Sequence, residues 1–251
     1  MPPAADASDL ALRWARVVEA AHDPVMAVGY VRSELEGDPA RVVAALDVVL
    51  THATVRHVGA LGLLVAVGAA LAPHDASELR ARLASAASEH ALSMLAGILG
   101  AQGAAQSAGD DELERIPDFG RGRPLALGER KSLARRRDRQ LLARVLRDPH
   151  PDVIRVLLGN PALTQDDVVR LVARRPIVGD VLREVAASVR WIARGAVRAA
   201  LLKNPYAPLE ISLPLVPLAT STELAELAAS PELSVALRSF AERAARVVTL
   251  H

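Results

Sequence analysis

Between Leu141 and Ala245 the sequence repeats itself, and this restricts what the chain can fold into more than any other feature. The segments Leu141-Leu-Ala-Arg-Val-Leu-Arg-Asp148, Val181-Leu-Arg-Glu-Val-Ala-Ala-Ser188 and Glu223-Leu-Ala-Glu-Leu-Ala-Ala-Ser230 align with one another, their first residues 40 and then 42 positions apart. A second register agrees, since Leu157-Leu-Gly-Asn-Pro161 returns 44 positions later as Leu201-Leu-Lys-Asn-Pro205. Units of this length, made of short helical segments, bury their apolar faces on their neighbours and stack.

The signals within a unit have direct physical readings. Gly159 can end a helix in the left-handed conformation, Asn160 before Pro161 is pushed out of α geometry, and Thr164 with Asp167 has capping-box spacing. Antiparallel helices are therefore predicted over 129–246, with turns at Asp148, Asn160-Pro161, Pro176, Ser188, Asn204-Pro205 and Ser230-Pro231. Matched positions predict a core of Leu142, Val145, Leu157, Leu158, Leu182, Val185, Leu201, Leu202, Leu224 and Leu227. Pro208, Pro214 and Pro217 predict a short or kinked helix in the last unit but one.

The remainder is also expected to be helical. Apolar residues form 51% of the chain but aromatics only 2%, so the core is built from Leu, Val, Ala and Ile, the composition of packed helices. Asp23-Pro24, Asp38-Pro39 and the capping-box spacing Asp75-Ala-Ser-Glu78 each mark a helix start. Trp14, Val17, Val18 and Ala21 predict one buried stripe, and Val42, Val43, Leu46, Val49 and Leu50 another. No period joins these helices, leaving an irregular bundle and a degenerate run of the same repeat both open. The uncharged run 58–73 is short for a membrane span, and a buried helix is expected.

Three regions result: an acidic helical region 1–100, a Gly-rich linker 101–128, mobile over 101–113 and docked through Ile116, Phe119 and Leu125, and a basic repeat region 129–251. Charge follows the same division. Residues 1–120 carry 8 Lys/Arg against 16 Asp/Glu, and residues 121–203 carry 19 against 8, a balance of −8 followed by +11. Such asymmetry implies either a polyanionic partner or docking of the acidic half on the basic one. Cysteine is absent, which removes thiolate chemistry and Fe–S ligation. The N-terminal residues do not read as a secretory signal, and the cytoplasm is the expected setting.

The run Asn160-Pro-Ala-Leu-Thr-Gln-Asp-Asp-Val-Val-Arg-Leu-Val-Ala-Arg-Arg-Pro176 resembles the leucine-rich repeat variant, a HEAT-like α-solenoid repeat of bacterial proteins. Gly122-Arg-Pro-Leu-Ala-Leu-Gly-Glu-Arg-Lys-Ser-Leu-Ala-Arg135 and Asn204-Pro-Tyr-Ala-Pro-Leu-Glu-Ile211 are also similar to a bacterial family of comparable length. The resemblance spans about residues 122–246 and implies an all-α protein, an α-solenoid of HEAT-like repeats with an N-terminal helical region, and no particular activity. The Fe–S cluster associated with the repeat variant cannot carry over to a chain without cysteine.

The candidate binding surface is basic. Arg135, Arg136 and Arg139 lie in one run, and Arg190, Arg194 and Arg198 recur every four residues as one helical stripe beside Trp191. A solvated helix face is the plain alternative, with Trp191 in the core. The leading expectation is a non-enzymatic scaffold binding a protein with an acidic surface through the helical-repeat face. The alternative is nucleic-acid binding, possible as a HEAT-like DNA glycosylase arrangement using Asp148 or Asp152. No catalytic residue, metal site, cofactor or membrane partner is expected: the histidines lack ligand spacing, and no glycine pattern suits a phosphate loop. Asn160 and Asn204 read as structural turn residues.

Overall fold

Several helices in this chain stop where a polar side chain precedes proline. The computed structural model describes residues 4–54, 56–106, 116–120 and 122–249, and among them every regular element is helical. In the N-terminal region these are α1 (Ala4–Ala20), α2 (Pro24–Leu35), α3 (Pro39–Thr54), α4 (Val58–Leu71), α5 (Ser77–Glu89) and α6 (Ser93–Leu99). There follow α7 (Leu127–Ala134), α8 (Arg139–Val145), α9 (Pro151–Leu158), α10 (Gln165–Val172), α11 (Gly179–Ala187), α12 (Val189–Ile192) and α13 (Gly195–Leu202). The chain ends with α14 (Leu209–Ser212), a 3-10 segment Leu213–Leu218, α15 (Ser221–Ala229) and α16 (Val235–Thr249).

Every turn predicted in the repeat region falls between helices, and all ten predicted core positions are buried. The turn chemistry recurs. Asp148, Asn160 and Asn204 each precede proline, and each side-chain oxygen accepts from the backbone N–H two residues on, at 3.0, 2.9 and 2.9 Å. The two asparagines also reach back to the preceding unit. Nδ2 of Asn160 donates to the carbonyls of Ala134 and Arg136, both at 2.8 Å, and Nδ2 of Asn204 donates to those of Val172 and Arg174 at 2.5 and 3.0 Å. One buried amide thus closes its own turn and satisfies the open carbonyls of the earlier helix end. Prolines 214 and 217 lack the N–H a helix needs, so α14 lasts one turn and continues as 3-10.

Ion pairs tie helices that are not adjacent in sequence. Lys131 of α7 meets Asp152 of α9 at 2.6 Å, Arg155 of α9 meets Glu184 of α11 at 2.5 Å, and Arg183 of α11 meets Glu210 of α14 at 2.7 Å. Arg130 reaches buried Asp148 at 2.6 Å. The acidic N-terminal region pairs largely within itself, through Arg13–Glu34, Arg32–Asp75 and Arg41–Asp6. His74–Asp180 at 2.6 Å crosses between the regions.

At the centre is α4, which carries no polar side chain and packs against α1, α2 and α3 on one side and α11, α12 and the 3-10 segment on the other. A single apolar cluster therefore runs through both regions. The open carbonyls at its C-terminal end are met from both: Arg80 donates to Leu71 O and, at 3.2 Å, to Pro73 O, while Arg183 donates to Ala72 O at 3.3 Å. No single helix among the described residues is long and apolar enough to cross a membrane.

Several expectations need correction. Asp75 caps nothing: a 3-10 turn His74–Ala76 precedes α5, and Asp75 turns instead to Arg32. Val17 leaves the predicted stripe; α1 buries Ala7, Leu10, Ala11 and Trp14, with Trp14 Nε1 bonded to Glu34 at 2.6 Å. The start of the expected linker is tied down, since Gln106 N donates to Pro205 O at 3.0 Å and Leu209 N to Gly103 O at 2.7 Å. The expected mobility over 107–113 lies outside the described residues. Phe119 and Leu125 are buried as expected, whereas Ile116 is exposed.

Replacing Asn204 by Ala strands two helix-end carbonyls and the Tyr206 N–H, and should lower the unfolding free energy in urea by about 2–4 kcal/mol. A change below about 0.5 kcal/mol, typical of a surface substitution, would rule out the asparagine as the joint between units.

Candidate binding surface

The structure brings most of the named basic residues to one turn, 160–167. Arg139 donates to Asp167 through both terminal nitrogens, at 2.7 and 3.0 Å, and to Ala162 O at 3.2 Å. Arg190 approaches Asn160 O at 3.4 Å, and Arg194 approaches Gln165 Oε1 at 3.3 Å. The Arg136 carbonyl accepts from Asn160, which anchors the exposed run Arg135–Arg137 beside the same turn. Two units separated in sequence thus present guanidinium groups about one loop.

The predicted stripe of Arg190, Arg194 and Arg198 does not form. The helix expected through it breaks at Ala193-Arg194, giving the single turn α12 and then α13 with Arg194 at its N-cap. Arg198 folds back to donate to Ile192 O and Ala193 O at 2.9 and 2.7 Å, satisfying the end of α12, and burial lowers its pKa. Trp191 is 1% exposed, with Nε1 donating to Leu158 O at 2.8 Å. Its ring carries both neighbours, Arg190 at 4.5 Å and Arg194 at 5.1 Å from the centroid. These cation–π contacts restrict both guanidinium groups before any partner arrives.

Charge pairing then sorts the candidates. Arg139 is paired with Asp167, and Arg198 is engaged by hydrogen bonds to main-chain carbonyls. Among the described residues Arg135, Arg136, Arg190 and Arg194 form no ion pair with a carboxylate, nor does Arg137 in the same run. The Arg139 hydrogen bond holds Asp167 well below the usual carboxylate range; burial opposes it, and the Thr164 hydroxyl and N–H reinforce it. Asp148 is buried against Arg130 at 2.6 Å, and the Lys131 hydrogen bond keeps Asp152 ionised to lower pH, which is not the behaviour of a carboxyl poised to exchange a proton near neutrality. His52 and His57 approach ring to ring at 5.9 Å, but among the described residues no three His, Asp or Glu side chains converge.

Beside this cluster lies a groove of ≈ 920 Å³ that sequence reading missed. One wall is Val25, Val28 and Arg32 of α2 with Pro73, His74 and Asp75; the other is Arg155, Leu158 and Gly159 with Arg183, Glu184 and the Ala187–Arg190 stretch. No sequence signal joins α2 to α9 and α11, because their meeting depends on α4 lying between them. A second, apolar groove of ≈ 260 Å³, lined by Val18, Ala21, Pro24, Gly62, Val65 and Ala193 among others, shares Val189 with the first.

Compared with protein-family models, curated proteins and solved structures, the chain finds no match, and its function is argued from its own geometry.

Because Asp167 is depressed in the folded state, its contribution to stability is present above the unfolded carboxyl pKa of about 4 and is lost as pH falls through the lower folded value. Asp167→Asn should therefore be less stable at neutral pH and flatten the fall of thermal midpoint below about pH 4. An unchanged acid limb would remove Asp167 as a contributor.

Proposed function

We propose that this chain is a non-enzymatic cytoplasmic scaffold, an α-solenoid-like stack of helical units that binds a protein partner bearing an acidic surface. The single observation that carries the reading is the set of guanidinium groups around turn 160–167 that lack carboxylate partners, with Arg190 and Arg194 fixed on Trp191. Guanidinium groups held in place lose less freedom on binding, and their fork matches a carboxylate. Support for stacked repeats comes from the two asparagine joints and from ion pairs linking α7 to α9 and α9 to α11. The resemblance to HEAT-like and leucine-rich-repeat-variant proteins points the same way.

Nucleic-acid binding is the weaker reading. The run Arg135–Arg137 could meet phosphates, but Trp191 is buried and covered, and offers no platform to an unpaired base. A base-excision enzyme is weaker still, because Asp148 and Asp152 are already engaged.

A photo-crosslinking amino acid at exposed Ala193, between Arg190 and Arg194, tests the scaffold in cells of the source organism. The expected product is a polypeptide adduct that resists nuclease and disappears in Arg190→Glu/Arg194→Glu, whose folding free energy should change by only about 0–1 kcal/mol. An adduct destroyed by nuclease would transfer the function to nucleic acid, and no adduct at all would overturn the scaffold.

A further inference from the structure

The groove between α2 and the α9–α12 segment has a charge pattern that selects among occupants. Arg32, Arg155 and Arg183 all line it, and each already holds a carboxylate: Asp75 at 3.1 Å, Glu184 at 2.5 Å and Glu210 at 2.7 Å. Arg190 is the one lining arginine, among the described residues, without such a pair. Its only polar contact is the long 3.4 Å approach to Asn160 O, and its guanidinium is steadied on the Trp191 ring at 4.5 Å. A polyanion tracking several phosphates would need several free cations here, and the groove offers one.

Apolar surface surrounds that cation. Val25 is 67% exposed at the rim, its neighbour Met26 is 71% exposed, and Val28, Leu158 and Val189 line the interior. Val189 also borders the smaller apolar groove, so the apolar surface continues past the first groove. Continuity of this kind suits an elongated chain better than a compact small molecule, and exposed valine and methionine together mark a protein contact.

We infer that this groove is the seat of a polypeptide segment that lays aliphatic side chains along Val25, Val28 and Val189 and sets an adjacent Asp or Glu on Arg190. The inference rests on the scaffold reading and specifies its partner: an amphipathic acidic segment, docked by its apolar face with the carboxylate fixing its register. Arg190 joins the two sites, since it belongs both to the groove and to the cluster at turn 160–167.

Fluorescence anisotropy with a labelled helical peptide, leucines on one face and glutamates on the other, tests this on the full chain. The same peptide with lysine in place of glutamate is the charge control. The Leu/Glu peptide should bind and the Leu/Lys peptide should not. Arg190→Ala and Val25→Glu should each weaken binding about tenfold or more, the loss expected of an interface anchor. Both positions are exposed, and an unchanged thermal midpoint for each variant verifies that folding is intact. Equal binding of the two peptides, no binding of the Leu/Glu peptide, or binding indifferent to Val25→Glu would overturn the groove assignment. The cross-link at position 193 separates the two levels: a nuclease-resistant adduct with a failed peptide assay leaves the scaffold standing on another face, and its absence removes both.

Discussion

A helix with no polar side chain has to be surrounded, and α4 imposes that requirement on the whole molecule. Of its residues Val58–Leu71, eight are buried, some against the N-terminal helices and some against α11, α12 and the 3-10 segment, while Val58 and Gly62 stay exposed. The regions are joined in consequence by packing. Among the described residues, the close side-chain contact His74–Asp180 crosses between them as well. Arg80 and Arg183 complete the arrangement by donating to the carbonyls at the end of α4, one guanidinium from each region.

Among the described residues, eight basic side chains of residues 121–203 pair with carboxylates. Lys131, Arg155 and Arg183 each pair with a carboxylate on a helix further along the chain, and Arg130 offsets a buried aspartate. The partly exposed Lys131–Asp152 pair adds little stability, and the apolar faces supply most of the energy. Arg135, Arg136, Arg137, Arg190 and Arg194 form no such pair among the described residues and gather near turn 160–167 and the groove.

Asp152 and Asp167 are held ionised by hydrogen bonds from Lys131 and Arg139, Arg190 and Arg194 rest on the Trp191 ring, and Val25 stands exposed at the groove rim, so this surface offers positioned charge and apolar contact. Stacked helices suit such a role, because their surface side chains vary without disturbing the apolar contacts inside.

The sequence by itself determined where the chain turns and which faces are buried. Asn160-Pro161 and Asn204-Pro205 read correctly because proline and Asx chemistry act over two or three residues, and the Leu182 and Leu201 positions because helical period is local. It also marked Arg190 and Arg194 as candidates by type and spacing. Only the tertiary structure decided that Arg139 and Arg198 are engaged, that the helix carrying Arg190 breaks before Arg198, and that Asp75 leaves its expected cap for Arg32. The groove likewise exists only once α2 and α11 share α4 as a neighbour. Local rules fix turns and faces, whereas ion-pair partners and clefts depend on side chains brought together from distant segments, and no single window of sequence contains both members.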